Sequence, residues 1–226
     1  MPADIHPLEP GQRAPGFVLP AANREGTVSL EAYRGRRAVL IGFFRGLHCP
    51  FCRRQAVELG RAQPELAKLG VETLAVFNTL PERARLYFRY RPTSAIVLAD
   101  PDCAVHRAFG VPQVGLVAPG SDAPTAWPHR TRPEDFEAVR MDPTGEMGEA
   151  VSPMQANERL NAKDGFELTE VDKDIFARHG MQLTGHFLID REGMVRWARS
   201  EATHPPGDLC RFPTAKEMLE AARALG

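Results

Sequence analysis

The chain has 226 residues, 43% of them hydrophobic, so it is long enough to bury a substantial core. Its formal net charge of −1 excludes the strongly basic surface typical of nucleic-acid binding. No apolar stretch approaches the roughly 18–20 residues that span a bilayer, the N-terminus lacks the apolar core of a secretory signal, and four cysteines do not make a disulfide scaffold. We therefore expect a cytoplasmic protein that binds neither nucleic acid nor membranes.

The first half of the chain predicts a sheet built around two buried strands. Residues 1–16 are polar and proline-rich and predict an extended leader. Short strands are predicted at 17–20 and 28–30. Two continuous apolar runs, 39–44 and 71–77, have the length and β-propensity of buried strands, so we expect both to be central and almost fully buried.

Helices are predicted between these strands. The first covers residues 50–69, and Pro64 should kink or split it, because an internal proline removes a helix hydrogen bond. A second should begin at a capping box formed by Thr79 and Glu82 and run to residue 91. A strand at 95–99, a helix at 104–109 and a strand at 114–117 follow. This alternation predicts an α/β fold with a partly parallel sheet and helices on both faces.

Residues 118–173 interrupt the pattern. They are rich in proline, glycine, acidic residues and methionine, and regularity returns only at residue 186. A connection this long is either a functional insertion or a poorly ordered segment. Beyond it we predict a β-hairpin over 187–198 and an amphipathic helix that begins at a capping box of Thr214 and Glu217. The chain is thus predicted to be a single domain, 1–226, with a long insertion before the C-terminal hairpin.

Two cysteines carry the strongest chemical signal. Cys49 and Cys52 are separated by Pro-Phe and follow a buried strand and a short turn, so they should lie at the start of a helix. The free N–H groups and positive end of a helix stabilise a thiolate over a thiol. Arg45, Arg53 and Arg54 would add positive charge in the same sense. The pattern indicates a redox site in which the two sulfurs can close a small disulfide ring.

Other interpretations of the pair are weaker. A zinc site would need two more ligands at comparable spacing, and the sequence has no second CxxC pair and no histidine pair at helical spacing. Inert buried cysteines would need neither the strand–turn–helix setting nor the cationic neighbours. We therefore predict a redox dithiol without a metal or other cofactor.

Three further residues have open roles. Cys103 is flanked by aspartates and is expected to be a small buried residue. Cys210, in a proline-rich loop, is either an ordinary thiol or one that resolves a sulfenic acid or bridges subunits. His48 either lowers the pKa of Cys49 as an imidazolium or is an exposed residue of the turn.

Four segments together resemble the alkyl hydroperoxide reductase/thiol-specific antioxidant group, the peroxiredoxin-like branch of the thioredoxin-fold superfamily. They are LEPGQRAPGFVLP, FFRGLHCPFCRRQ, VLADPDCAVHRAFGV and GHFLIDREGMVRWA. The resemblance covers the chain except for residues 118–173. It implies a thioredoxin-like, three-layer α/β/α domain with a central mixed sheet.

The resemblance also shows where this chain departs from the family. Peroxiredoxins typically carry P-x-x-x-T-x-x-C at the site. With Cys52 as the final cysteine, Cys49 stands where the threonine would be and Arg45 where the proline would be. The arginine that normally activates peroxide falls on Thr184. In thioredoxin-like members the first cysteine is the exposed nucleophile, which would be Cys49, with Cys52 resolving.

These features predict a thiol-dependent oxidoreductase, with peroxide reduction ahead of protein-disulfide reduction. If peroxide is the substrate, the alignment favours Cys52 as the attacking thiolate; if a disulfide is the substrate, the greater exposure expected at the start of the helix favours Cys49. A non-catalytic redox-sensing or binding module on the same fold is a third interpretation. An external thioredoxin- or glutathione-type thiol would reduce the oxidised pair, and a homodimer is an open possibility.

Overall fold

The computed structural model describes residues 6–118, 120–203 and 209–226. In chain order the strands are β1 (Val18–Pro20), β2 (Thr27–Ser29), β3 (Ala38–Phe44), β4 (Val71–Phe77), β5 (Ile96–Ala99), β6 (Gln113–Leu116), β7 (Arg130–Thr131), β8 (Met181–Gln182), β9 (Gly185–Ile189) and β10 (Val195–Ser200). The α-helices are α1 (Pro50–Lys68), α2 (Pro81–Tyr90), α3 (Ala104–Ala108), α4 (Pro133–Ala138), α5 (Pro153–Lys163), α6 (Glu170–His179) and α7 (Ala215–Arg223). Short 3-10 turns cover Leu30–Tyr33 and Glu201–Thr203.

Five strands form the central sheet in the order β10-β9-β3-β4-β5. β3 is parallel to β4, and β4 to β5, whereas β9 is antiparallel to both β3 and β10. Every residue of β3 is buried, and so is every residue of β4 except Glu72. A strand that is covered on both faces has a continuous run of apolar residues, and this run allowed both strands to be predicted from the sequence. The predicted mixed sheet with β3 and β4 inside it is confirmed.

Helix α1 runs without a break from Pro50 to Lys68, so the prediction that Pro64 splits it is wrong. Pro64 lies on the exposed side of the helix, whereas Leu59 and Leu66 on either side of it are fully buried. The buried face packs against β4 and α7. This packing holds the helix together across the one missing backbone hydrogen bond.

The two predicted capping boxes have different outcomes. At α7, Thr214 and Glu217 each accept a hydrogen bond from the other's backbone N–H, as predicted. At α2 the prediction is wrong, because the N-cap residue is Leu80 and no side chain caps the helix. Pro81 takes the first helical position, which leaves Thr79 one residue too early.

The segment 118–173, predicted to be either a functional insertion or a poorly ordered segment, contains β7, α4, α5 and the start of α6. Helices α5 and α6 begin at capping boxes formed by Ser152 with Gln155 and by Thr169 with Asp172. Both signals are local and were readable from the sequence. Helix α5 contacts α1, and this contact brings the segment next to the cysteine pair.

The remaining predicted strands are confirmed with each end displaced by no more than one residue, and β9 and β10 form the predicted hairpin. In the described part of the leader, residues 6–16, the chain has no helix or strand; its first five residues lie outside the described ranges. None of the helices in those ranges is long and apolar enough to cross a membrane. The cytoplasmic location and the single-domain organisation stay predictions.

Gly60, in the middle of α1, allows the loop before β5 to approach the helix closely. A Cβ at this position would lie 2.1 Å from Thr93 Oγ1 and 3.0 Å from the backbone nitrogen of Ser94. Alanine normally stabilises a helix by about 1 kcal/mol relative to glycine, but overpacking costs about 1–3 kcal/mol. We expect Gly60→Ala to lower the free energy of unfolding, measured by urea denaturation.

The double variant Gly60→Ala/Thr93→Ala is the matched test of this explanation. Thr93→Ala removes the hydroxyl that the new methyl group would meet, so Gly60→Ala should be less destabilising in that background. Equal effects of Gly60→Ala in both backgrounds would show that Thr93 is not the cause.

Candidate active site

Cys49 is the N-cap residue of α1, and Pro50 is the first helical residue. The Sγ atom of Cys49 accepts a hydrogen bond from the backbone N–H of Cys52 at 3.3 Å, a role that Ser, Thr or Asp oxygens usually fill. The N–H of Cys49 donates to the carbonyl of Gly46 at 3.1 Å and closes the turn that follows β3. The structure thus brings both predicted cysteines together at a helix N-terminus as free thiols.

Both cysteines are buried. The exposed fraction is 2% for Cys49 and 0% for Cys52, so Cys49 is only marginally the more exposed of the two. Helix α5 covers the turn that precedes the pair. The side-chain amides of Asn157 and Asn161 donate to the carbonyl of His48 at 3.4 and 3.1 Å.

A third sulfur joins the pair. Cys210, between the last 3-10 turn and α7, lies close enough to Cys49 for the two thiols to affect each other's pKa. Arg45 lies between Cys210 and Glu201: its Nη1 donates to Cys210 Sγ at 3.6 Å, and its Nη2 donates to Glu201 Oε2 at 2.8 Å. Glu201 Oε1 also accepts the N–H of Cys210 at 2.6 Å. Glu201 therefore holds both the arginine and the third cysteine in place.

The three thiols ionise differently. Burial raises the pKa of Cys49, but hydrogen bonds from Cys210 and Cys52 and the charge of Arg45 outweigh it, so the pKa of Cys49 lies well below its usual value. Burial and the hydrogen bond to Cys49 raise the pKa values of Cys52 and Cys210 well above the usual value. The arrangement is that of one thiolate, Cys49, with two neighbouring thiols that donate to it.

One of the two roles predicted for His48, that of an exposed turn residue, is wrong. His48 is buried, and its ring packs edge-on against Phe176 of α6 at a centroid distance of 5.2 Å. Burial lowers the pKa of His48, and the nearby Arg45 acts in the same direction, although the Cys49 thiolate opposes them. A lowered pKa disfavours the imidazolium, but a charged His48 would still lower the pKa of Cys49, so this role stays a prediction.

Of the three predicted arginines, Arg45 alone contacts a sulfur within the described ranges. Arg53 donates to the carbonyl of Leu47 at 2.7 Å and pairs with Asp164 at 2.6 Å. Arg54 pairs with Asp164 and Glu146. Carboxylates from the 118–173 segment pair with both arginines, so their predicted action on the thiols stays a prediction. Arg53 supports the backbone of the turn before the dithiol.

Thr184 lies beside Glu201 and is almost completely buried. Its N–H donates to Glu201 Oε2 at 2.8 Å, and this is the oxygen that Arg45 binds. Arg45 directly follows β3, and because it shares this oxygen with Thr184, its guanidinium lies near position 184. In the family resemblance, position 184 is where the peroxide-activating arginine would stand.

Glu201 was not identified as a site residue from the sequence, although the register of the predicted hairpin places it next to Thr184. Ser200 lies opposite Gly185 in the β9–β10 pair, and the next position along each strand brings Glu201 next to Thr184.

Cys103 is confirmed as a buried residue. Burial and the nearby Asp100 raise the pKa of Cys103, so it is not a thiolate.

Residues 10–131, just over half of the chain, match the sequence model of the AhpC/TSA family, and the chain belongs to this family. Two proteins from Mycobacterium tuberculosis strains, each provisionally named a peroxiredoxin, are 32% identical to it over 103 residues. The matched region covers 46% of this chain and 64% of those relatives.

Solved structures share its fold. The peroxidoxin BcpB from Mycobacterium tuberculosis superposes with a TM-score of 0.56 at 13% identity, covering 97% of this chain and 99% of that one. A protein from Chlorobium tepidum, provisionally described as the thiol:disulfide interchange protein DsbE, gives 0.51 at 19% identity, covering 96% and 97%. The predicted family resemblance and the peroxiredoxin-like thioredoxin fold are confirmed.

The electrostatic role of Arg45 can be tested by titration. We expect Arg45→Gln to raise the pKa of the Cys49 thiol by about one, because a neighbouring cation favours the thiolate. The ultraviolet absorbance of the thiolate, measured against pH and corrected with Cys49→Ser protein, reports this change. Arg54→Gln is the matched control; it removes a nearby arginine that pairs with carboxylates, and it should leave the titration of Cys49 unchanged.

Arg45→Gln leaves the Glu201 carboxylate buried without its cation, which is strongly destabilising in its own right. The double variant Arg45→Gln/Glu201→Gln removes both charges and should still raise the pKa of Cys49. An unchanged titration in both Arg45 variants would contradict the assignment.

Proposed function

We propose that this protein is a thiol peroxidase that reduces hydroperoxides through a redox couple of Cys49 and Cys52. The observation that carries the proposal is the position of Cys49 Sγ at the N-cap of α1, hydrogen-bonded to its neighbours in a site that also holds Arg45. A thiolate stabilised in this way is the nucleophilic form of cysteine. Membership of the AhpC/TSA family supports peroxide as its oxidant.

Cys49 is the attacking residue in this proposal. The family alignment places Cys52 at the position of the peroxide-reactive cysteine, but Cys52 is fully buried and its pKa is raised by burial and by Cys49. Cys52 is better suited to resolve the oxidised Cys49, because it lies in the first turn of the same helix and its backbone N–H already donates to the Cys49 sulfur.

Burial of the pair favours a small oxidant over a protein disulfide. A protein disulfide must contact the attacking sulfur directly, and the exposed fraction of Cys49 is 2%. A hydroperoxide presents only two oxygen atoms to the sulfur. This difference supports peroxide reduction ahead of protein-disulfide reduction.

The proposed cycle has three steps. The Cys49 thiolate attacks the terminal oxygen of the hydroperoxide, the O–O bond breaks, and the alkoxide leaves as an alcohol after taking a proton. Cys52 then attacks the sulfur of the Cys49 sulfenic acid, water leaves, and a Cys49–Cys52 disulfide forms. Two electrons from an external thioredoxin- or glutathione-type thiol reopen the disulfide.

Arg45 has a second role in this cycle. Position 184 holds threonine, and Arg45 reaches the same neighbourhood through Glu201. We propose that Arg45 donates hydrogen bonds to the peroxide oxygens as negative charge develops on the leaving oxygen. Glu201 is then a positioning residue that holds the guanidinium.

Single-turnover oxidation tests the cysteine assignment. Cys49→Ser should lose at least about 99% of the rate of reaction with hydrogen peroxide, because the serine hydroxyl is not ionised. Cys52→Ser/Cys210→Ser keeps the nucleophile without a neighbouring thiol and should accumulate sulfenic acid on Cys49. Stopped-flow mixing followed by dimedone labelling and mass spectrometry measures both results, and Cys103→Ser is the control that should behave like the wild type.

The other interpretations predict different outcomes. Rapid oxidation of Cys49→Ser would make Cys52 the nucleophile. Slow reaction with peroxide but rapid reduction of insulin disulfides would identify a protein-disulfide reductase. Inertness towards both oxidants would identify a non-catalytic module.

A further inference from the structure

Three sulfurs meet at the start of α1, and the proposed cycle uses two of them. The Sγ of Cys210 accepts a hydrogen bond from Arg45 at 3.6 Å, and the guanidinium of Arg45 lies near the sulfurs of Cys49 and Cys52 as well. The backbone of Cys210 has a φ of +58°, the left-handed region that residues other than glycine seldom occupy. The N–H bond to Glu201 at 2.6 Å holds it there. Cys210 is therefore a built part of the cluster.

Cys210 differs from the other two cysteines in its access to the surface. Cys49 and Cys52 are buried, whereas Cys210 is half-buried. It lies in the wall of a cleft of about 260 Å³, next to Phe51, Gln55 and Phe212. A reductant that enters this cleft meets Cys210 before it can reach the buried pair.

We propose that Cys210 is a third redox cysteine that takes the disulfide over from Cys49 and Cys52 and presents it to the external thiol reductant in this cleft. The proposal rests on the peroxidase cycle given above. It adds to that cycle a step in which the disulfide moves to Cys210, and it identifies the cleft as the place where the reductant binds.

The exchange is balanced without a further oxidant. Cys210 Sγ attacks Cys49 Sγ, the Cys49–Cys210 bond forms as the Cys49–Cys52 bond breaks, and the proton lost by Cys210 passes to Cys52. A reductant thiolate then attacks Cys210, and Cys49 leaves as a thiolate. A second thiol of the reductant releases Cys210 and carries away the disulfide.

The surroundings of Cys210 give the exchange a direction. In the reduced protein, burial, the interaction with the Cys49 sulfur and the negative charges of Glu201 and Cys49 keep Cys210 protonated. Oxidation of Cys49 removes its negative charge and frees its sulfur from that interaction, while Arg45 remains beside Cys210 and favours its thiolate. Cys210 thus becomes a better nucleophile after the pair has been oxidised. In the last step Cys49 is a good leaving group, because a low pKa speeds departure.

A matched pair of variants tests whether Cys210 can reach Cys49. After one equivalent of hydrogen peroxide, Cys52→Ser should form a Cys49–Cys210 disulfide, whereas Cys52→Ser/Cys210→Ser should hold Cys49 as sulfenic acid. Disulfide mapping by mass spectrometry and dimedone labelling distinguish the two products. Sulfenic acid with a reduced Cys210 in the single variant would overturn the proposal.

The wild-type sequence of events gives the second test. Samples quenched with acid after oxidation should show the Cys49–Cys52 bond first and the Cys49–Cys210 bond later. Reduction of the oxidised protein by a thioredoxin should be at least about tenfold slower in Cys210→Ser than in Cys103→Ser. A thioredoxin that lacks its own resolving cysteine should be trapped on Cys210 of the wild type.

The two proposals fail in different ways. Absence of Cys49 oxidation in every variant would refute the peroxidase cycle and the relay with it. Normal oxidation with equal reduction rates in Cys210→Ser and Cys103→Ser would refute the relay alone. In the wild type, where Cys52 is present, a Cys49–Cys210 bond that forms without an earlier Cys49–Cys52 bond would also refute the relay and would make Cys210 the direct resolving residue.

Discussion

The carboxylate of Glu201 is the constraint on which the candidate site depends. It binds the guanidinium of Arg45 at the end of β3 and the backbone N–H groups of Thr184 and Cys210. One buried side chain thus joins the central strand, the entry to the hairpin and the segment before α7. Removing the cation from a buried carboxylate is destabilising by roughly 3–5 kcal/mol, so Glu201 depends on Arg45 as its partner. The position of Arg45 at the sulfurs follows from this pairing.

The segment 118–173 completes the site from the other side. Its helix α5 provides Asn157 and Asn161, which bind the carbonyl of His48, and it ends next to Asp164, which neutralises Arg53. The turn before Cys49 is therefore enclosed by a part of the chain that lies about a hundred residues away in sequence. His48, in this enclosed turn, is buried beside Cys49. A thiolate in such a setting depends on nearby hydrogen bonds and on Arg45, because water contributes little to its stabilisation.

The sequence predicted the features that depend on neighbouring residues. The apolar runs of β3 and β4, the capping box at Thr214 and the dithiol at the helix start are local signals, and all are present in the structure. The errors arose where distant parts of the chain decide the outcome. Packing of Leu59 and Leu66 keeps α1 whole across Pro64, and Asn157 covers a turn that local composition suggested would be exposed. The contact between Cys210 and Cys49 follows from tertiary packing after the hairpin, and no spacing rule in the sequence encodes it.

The N-cap role of Cys49 links the redox state of the protein to the stability of its longest helix. The Sγ atom accepts the N–H of Cys52 at the positive end of α1, where a negative charge stabilises the helix. A disulfide carries no such charge, so the same interaction that supports α1 also favours the dithiol over the disulfide. Thermodynamic linkage then requires a less negative reduction potential for the couple than for a dithiol without a helix. The interaction between the Cys49 thiolate and the N-terminus of α1 therefore sets both the stability of the helix and the oxidising power of the disulfide.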